Sequence, residues 1–157
     1  MPVSPSGDWK LIFVIYAEPH ATSLDSSSRE HSDERPSADS KLVLIVDDEQ
    51  DLLDVTSFVL ESEGFRVQTA KNGAEALEIL RSGTQPELVL LDMMMPVMNG
   101  WEFLETIART PALRSIPVVV LTAAGTTSIP GAAEILRKPF DLGMLVTVVE
   151  RHSSGAE

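Results

Sequence analysis

A short apolar run at residues 88–91 ends in a single carboxylate, that of Asp92. Pro86 precedes the run and Pro96 follows it, so the run has the length of a strand rather than that of a helix. Continuous Val and Leu residues are typical of strands that are buried on both faces of a parallel sheet. In open parallel α/β sheets, functional groups lie at the carboxyl ends of the strands. The run therefore predicts an α/β fold with Asp92 at its functional edge.

Three other strand-like runs also end in polar residues. They are residues 42–46 before Asp47 and Asp48, residues 117–121 before Thr122, and residues 134–137 before Lys138. The carboxyl ends of parallel strands meet at one edge of a sheet, so these side chains are expected to lie together. The sequence thus predicts a site that combines three carboxylates, one hydroxyl and one ammonium group.

The segments between these runs predict a three-layer α/β sandwich around a parallel sheet. Apolar residues recur at helical spacing over residues 50–62, 72–81, about 100–109 and from residue 142 onward, and residues 65–69 alternate as a strand does. In the third helix, the spacing places Trp101, Leu104 and Ala108 on one face. Between Thr122 and Lys138, glycine and proline leave room for only a turn or two, so the fourth helix is predicted to be shortened.

Composition excludes several classes of function. A chain of 157 residues fits one ordinary domain, and its net charge of −12 argues against nucleic-acid binding, which needs basic patches. The sequence has no cysteine, which excludes disulfides and zinc–thiolate sites. The three histidines, His20, His31 and His152, lie outside the periodic part of the chain. A histidine-based triad or metal cage is therefore not expected.

The ends of the chain differ in composition from its centre. Residues 11–17 are apolar but far shorter than the about 20 residues that span a bilayer. They are interpreted as part of a disordered extension over residues 1–40, with a docking or membrane-touching segment as the alternative. The domain is predicted over residues 41–152, with a tail at 153–157. A cytoplasmic protein without membrane contact is expected.

The residues at the strand ends favour phosphoryl chemistry. Carboxylates placed close together are costly to ionise unless a cation is present, and oxygen ligands without His or Cys favour Mg²⁺. An ammonium and a hydroxyl can hold phosphoryl oxygens, and a carboxylate can form an acyl phosphate as a nucleophile. Taken singly, such residues are more often helix caps or loop residues. Their joint placement at four strand ends favours a phosphoryl site.

The sequence resembles the receiver domain of bacterial two-component response regulators over residues 41 to about 152. The resemblance rests on four motifs in the family's order: Leu44-Ile45-Val46-Asp47-Asp48-Glu49, Leu91-Asp92-Met93-Met94-Met95-Pro96-Val97-Met98-Asn99-Gly100, Val120-Leu121-Thr122-Ala123 and Lys138-Pro139-Phe140. It implies a flavodoxin-like five-stranded parallel sheet in the order 2-1-3-4-5. It also implies a signalling switch rather than an enzyme, phosphorylated by a sensor histidine kinase or a phosphotransfer protein, with output by docking to an unknown downstream protein or by phosphorelay.

The resemblance also assigns roles to residues. It makes Asp92 the phosphoacceptor, and makes Asp48, Asp92 and the backbone carbonyl of Met94 ligands of Mg²⁺, with Asp47 acting through water. Thr122 and Lys138 would bind the phosphoryl group, and the Lys138–Pro139 peptide bond would be cis.

Two departures from the family affect the expected output. The fourth helix is short, and Ile135 stands where the family often has a Tyr or Phe that rotates on activation. We expect phosphorylation to persist while its readout uses another surface or is weakened. Met94 and Ala124, two residues beyond Asp92 and Thr122, are not acidic, which predicts slow loss of the phosphoryl group. Because the sequence ends soon after the domain, a single-domain regulator is expected.

Three rival interpretations are open to test. A haloacid-dehalogenase-like phosphatase would need a second aspartate where Met94 stands. A flavodoxin would need a Ser/Thr/Gly-rich phosphate loop where Asp47 and Asp48 stand. A receiver-like interaction module that works without phosphorylation is the main alternative. Such a module is expected to lack one or more of four site residues, and all are present: Asp48, Asp92, Thr122 and Lys138. The short fourth helix keeps this alternative open.

Overall fold

The computed structural model describes residues 40–153 apart from 124, 126 and 127. Five parallel strands form one sheet in the order β2-β1-β3-β4-β5, which confirms the predicted flavodoxin-like topology. The strands are β1 (Leu42–Val46), β2 (Arg66–Ala70), β3 (Leu88–Asp92), β4 (Val118–Thr122) and β5 (Glu134–Arg137). The predictions for residues 1–39, for Ala124 and for residues 154–157 lie outside the described residues.

Four helices flank the sheet: α1 (Gln50–Ser62), α2 (Gly73–Arg81), α3 (Gly100–Arg109) and α4 (Leu142–Ser153). Asparagine side chains cap two of them: Asn72 accepts from the N–H of Glu75, and Asn99 forms a reciprocal capping box with Glu102. Asp141 caps α4 by accepting from the N–H of Met144. None of the described helices has both the length and the apolar character needed to cross a bilayer.

The two faces of the sheet carry separate cores because successive strand residues point to opposite faces. On one face, Val43, Leu90 and Val119 pack under α1 and α4, which we call the α1/α4 layer. On the other face, Leu44 and Val120 pack under α2 and α3, the α2/α3 layer. Every residue of β3 and β4 is buried, so both strands are apolar throughout their interiors.

The face of α3 that packs on the sheet differs from the predicted one. Phe103, Leu104 and Ile107 are buried, whereas the indole of Trp101 is 48% exposed and Ala108 lies on the surface. Of the three residues predicted to face the core, only Leu104 is buried. The periodicity of the apolar residues allowed both alignments, and the position of α3 over the sheet decides between them.

The described residues between β4 and β5 form turns and no helix. Gly131 adopts a positive φ of 92°, and the adjacent Pro130 lacks the N–H that a helix requires. Ile129 is buried in the core of the α2/α3 layer, and Ile135 of β5 packs partly against the same core. An apolar side chain from a turn thus covers this part of the sheet in place of a full helix.

Candidate phosphoryl and metal site

The register of the sheet brings the predicted strand-end residues to one edge. Val46 pairs with Leu91, so Asp47 and Asp92 occupy the same level of neighbouring strands. On the other side of β3, Asp92 pairs with Leu121, so Thr122 lies one residue further along β4. Thr122 pairs with the last residue of β5, just before Lys138, and its carbonyl accepts from the Lys138 N–H at 2.9 Å.

Three carboxylates converge at this edge. Oxygens of Asp47, Asp48 and Asp92 all lie within 4.8 Å of one another. Asp47 is fully buried and Asp92 is 7% exposed, whereas Asp48 lies on the surface. The Oδ1 of Asp47 accepts from the backbone N–H of Glu49 at 2.9 Å, which fixes that carboxylate beside the start of α1.

Lys138 is the cation that faces the two buried carboxylates. Its Nζ lies 3.3 Å from Oδ2 of Asp47 and 3.6 Å from Oδ1 of Asp92. Thr122 is also buried at this edge, and the Lys138–Pro139 peptide bond is cis, as the resemblance implied. The structure therefore brings together every side chain that the sequence assigned to the site.

Burial and mutual repulsion disfavour the charges of this cluster. Burial, followed by the negative charge of Asp47, raises the pKa of Asp92 to about 6, while Lys138 and the backbone N–H of Met94 act in the opposite direction. Burial also raises the pKa of Asp47, against the opposing effect of Lys138. One ammonium does not compensate three carboxylates, so a bound divalent cation would offset the remaining repulsion. The hard oxygen donors fit Mg²⁺.

The loop between β3 and α3 forms one wall of the site. Its first residues diverge sharply: Met93 is buried, whereas the side chain of Met94 is exposed and its N–H donates to the Asp92 carboxylate. Gly100 is required at the start of α3, because a Cβ there would overlap Met93 and approach the carbonyl oxygen of Asp92 at 3.0 Å. Met94, whose carbonyl is predicted to bind Mg²⁺, therefore already contacts Asp92 through its N–H.

A second charged cluster was not predicted. His152 belongs to α4, so its placement outside the periodic part of the chain was wrong. Its Nε2 lies 2.7 Å from Glu134 at the start of β5, and Arg151 Nη1 lies 2.6 Å from the same Glu134 Oε1. The sequence offered one signal for this cluster. Arg151 and His152 come late in the predicted last helix, and the acid Glu134 begins a predicted strand.

Comparison with known families identifies the fold. A profile described as the response regulator receiver domain matches residues 43–150. This chain belongs to that family. The receiver domain is 44% identical over 105 residues to a transcriptional regulatory protein, a CpxR homologue from Haemophilus influenzae, and this match covers 63% of this chain and 44% of the relative. The chain spans about half the length of the response regulators that it first matches.

Solved structures of receiver domains have the same architecture. The signal receiver domain of a histidine kinase from Syntrophus aciditrophicus aligns with a TM-score of 0.68 at 31% identity, covering 75% of this chain and 93% of that one. The chemotaxis response regulator CheY4 of Vibrio cholerae aligns with a TM-score of 0.66 at 29% identity, covering 71% and 98%. Receiver domains act as regulatory domains in two-component signalling, which accords with the predicted class.

Proposed function

We propose that this receiver domain is a Mg²⁺-dependent switch that accepts a phosphoryl group on Asp92. The observation that carries the proposal is the convergence of Asp92 with two further carboxylates, within 4.8 Å, and with Lys138 Nζ at 3.6 Å. The phosphodonor would be a sensor histidine kinase or a phosphotransfer protein, which places the exchange in the cytoplasm. Output would pass to a downstream protein by docking or by phosphorelay, without binding to nucleic acid.

The residues of the site have distinct roles in this proposal. An ionised Asp92 oxygen attacks the donor's phosphorus atom as the bond from phosphorus to the donor nitrogen breaks, which yields an acyl phosphate. The ammonium of Lys138 and the hydroxyl of Thr122 bind phosphoryl oxygens and offset their charge. Asp48, Asp92 and the Met94 carbonyl would hold Mg²⁺, with Asp47 acting through water. When bound, the ion supplies positive charge to the phosphoryl oxygens.

The lifetime of the acyl phosphate depends on whether a nearby side chain can activate a water molecule. The Met94 thioether is a poor hydrogen-bond acceptor and cannot act as a base toward water. Slow loss of the phosphoryl group is therefore expected, and a half-life of seconds in the isolated protein would contradict this part of the proposal.

The decisive experiment is intact mass spectrometry after incubation with acetyl phosphate and Mg²⁺. We expect one added phosphoryl group in the native protein and none in Asp92→Asn. Asp54→Asn is the matched control, because Asp54 lies exposed on α1, where it accepts from Gln50 at 2.8 Å. This variant should be phosphorylated like the native protein. An adduct that persists in Asp92→Asn would contradict the assignment of Asp92.

One observation favours a second candidate, an interaction module that works without phosphorylation. The described residues between β4 and β5 form no helix, and Ile135 replaces the aromatic residue that the family often uses for output. Absence of both a phosphoryl adduct and a beryllofluoride complex would favour this candidate. If beryllofluoride binds, amide shifts near Ile135 as large as those near Asp92 would show that the usual output surface still responds.

A further inference from the structure

Methionines are concentrated beside the phosphoacceptor. Four of the six in the sequence lie within residues 93–98, directly after Asp92. They differ widely in accessibility: Met94 is 71% exposed, Met95 and Met98 are half-buried, and Met93 is 1% exposed. One thioether in this loop is therefore presented to solvent, and its neighbour in the chain is sealed from it.

The surroundings of the two adjacent methionines explain this difference. The sulphur of Met93 packs against the position where Gly100 lacks a side chain, within the core of the α2/α3 layer. The side chain of Met94 points to solvent, while its backbone N–H donates to the Asp92 carboxylate. Met94 thus carries an exposed sulphur atom on a residue whose backbone contacts the reactive carboxylate.

The chemistry of the whole chain makes this sulphur an accessible target for oxidants. The sequence contains no cysteine, so no thiol competes for a two-electron oxidant. The thioethers are then the most easily oxidised side chains of this protein, and the more exposed ones react faster. Among the described methionines, Met94 has the largest exposed fraction, and Met144 on α4 follows at 49%.

We propose that Met94 is a reversible oxidation site through which peroxide controls the lifetime of the phosphorylated receiver domain. A lone pair of Sδ attacks one peroxide oxygen and forms an S–O bond as the O–O bond breaks. The hydroxide that leaves takes the proton from the transferred oxygen, which gives the sulfoxide and water. The sulphur atom is oxidised by two electrons, and the peroxide is reduced. Methionine sulfoxide reductases restore the thioether. The inference rests on the proposed function, because its consequence concerns phosphorylated Asp92.

The product changes the polarity of an exposed side chain two residues after Asp92. A thioether is a weak hydrogen-bond acceptor, whereas a sulfoxide oxygen is a polar acceptor that can hold a water molecule. Placed two residues after the acyl phosphate, such a water would favour hydrolysis. We expect the half-life of the acyl phosphate to fall about threefold on oxidation, which corresponds to a gain of one neutral hydrogen bond.

The test begins with peptide mapping of the full chain after graded treatment with hydrogen peroxide. Among the described methionines, Met94 should gain one oxygen atom first, followed by Met144, with Met93 last. The same order is expected in Asp92→Asn, so this measurement does not depend on phosphorylation. Oxidation of Met93 as fast as that of Met94 would overturn the assignment of the site.

The second measurement compares the half-life of the acyl phosphate before and after oxidation in three proteins. It should shorten in the native protein and in Met144→Leu, and recover after treatment with methionine sulfoxide reductases. In Met94→Leu, peroxide should leave the half-life at that variant's own starting value. An unchanged half-life in native protein oxidised at Met94 would overturn the inference alone. Failure of the reduced native protein to take up phosphate would overturn the proposed function and this inference with it.

Discussion

Two clusters of charged side chains stand at opposite ends of the parallel sheet. The site cluster, at the carboxyl ends of the strands, combines Asp47, Asp48 and Asp92 with the cation Lys138. The Glu134 cluster, at the amino-terminal end of β5, combines one acid with Arg151 and His152 of α4. The first cluster has an excess of acids and is largely buried, whereas the second balances its acid and is partly open to solvent.

The pKa values of the carboxyl groups reflect this difference. Burial and Asp47 raise the pKa of Asp92 to about 6, whereas hydrogen bonds from His152 and Arg151 lower the pKa of Glu134. The ionised form therefore opposes folding in the site cluster and supports it in the Glu134 cluster. Charges at the carboxyl edge of the sheet are therefore held at a cost to stability, while those at the other end connect β5 to α4.

The largest expected effect comes from removing the charge of Asp92. Its pKa in the folded chain lies above the ordinary value of 3.8, so its ionisation penalises folding fully above about pH 6, and the penalty fades as the pH falls toward 3.8. With EDTA present at about pH 8, Asp92→Asn should raise the free energy of unfolding by up to about 3 kcal/mol. Urea denaturation measures this change.

The pH dependence supplies the control for this prediction. Near pH 4, Asp92 is largely protonated in the folded chain, so the variant and the native protein should have similar stability. A variant that is less stable than the native protein at about pH 8 would show that the Lys138 contact outweighs burial and repulsion. The contrast between the two clusters would then be wrong.

A divalent cation should offset the excess negative charge of the site cluster. At Mg²⁺ concentrations of about 100 times the dissociation constant, binding to the folded state alone adds about 2.7 kcal/mol to the free energy of unfolding. Thermal melts with and without Mg²⁺ measure the effect, which should be much smaller in Asp92→Asn. Equal stabilisation of both proteins would show that the ion binds elsewhere.

The resemblance to receiver domains supplied the strand order, whereas the strand-like runs alone predicted the parallel sheet and the side chains that meet in the site cluster. The runs succeeded because each strand is a short apolar run, and the carboxyl ends of parallel strands must share one edge. Sequence reasoning did not identify the buried face of α3, where Trp101 and Phe103 both fit a helical period and only docking on the sheet selects Phe103. The Glu134 cluster was also missed, because it joins residues 17 and 18 positions apart that only the tertiary fold brings together.

A buried neutral group separates the effect of burial from that of charge. Thr56 of α1 is fully buried, and its hydroxyl has no hydrogen-bond partner among the described residues. Thr56→Val should raise the free energy of unfolding by about 1 kcal/mol, because it removes an unsatisfied polar atom without much change of shape. Urea denaturation measures the change.

The matched control for this variant is Thr147→Val. Thr147 lies exposed on α4, and its hydroxyl donates to the carbonyl of Gly143 at 2.9 Å. This substitution should change the free energy of unfolding by less than about 0.5 kcal/mol. A loss of stability in Thr56→Val would indicate that a buried water satisfies the hydroxyl, and burial alone would then not explain the cost.

The smallest expected effect tests the balanced cluster. Glu134→Gln removes the charge that pairs with Arg151 and His152, and the partial exposure of these groups limits the loss of stability to about 1 kcal/mol or less.

The lowered pKa of Glu134 means that its contribution to stability is present above the ordinary value of 4.5 and disappears as the pH falls through the folded-state value. Denaturation curves should therefore differ between variant and native protein at about pH 7, and the difference should shrink as the pH is lowered below the ordinary value of 4.5. Glu105→Gln is the control, since Glu105 pairs with Arg109 on the exposed face of α3 and its loss should be undetectable. If both variants behave alike, the Glu134 cluster is an ordinary surface ion pair, and only the site cluster has a measurable electrostatic effect on folding.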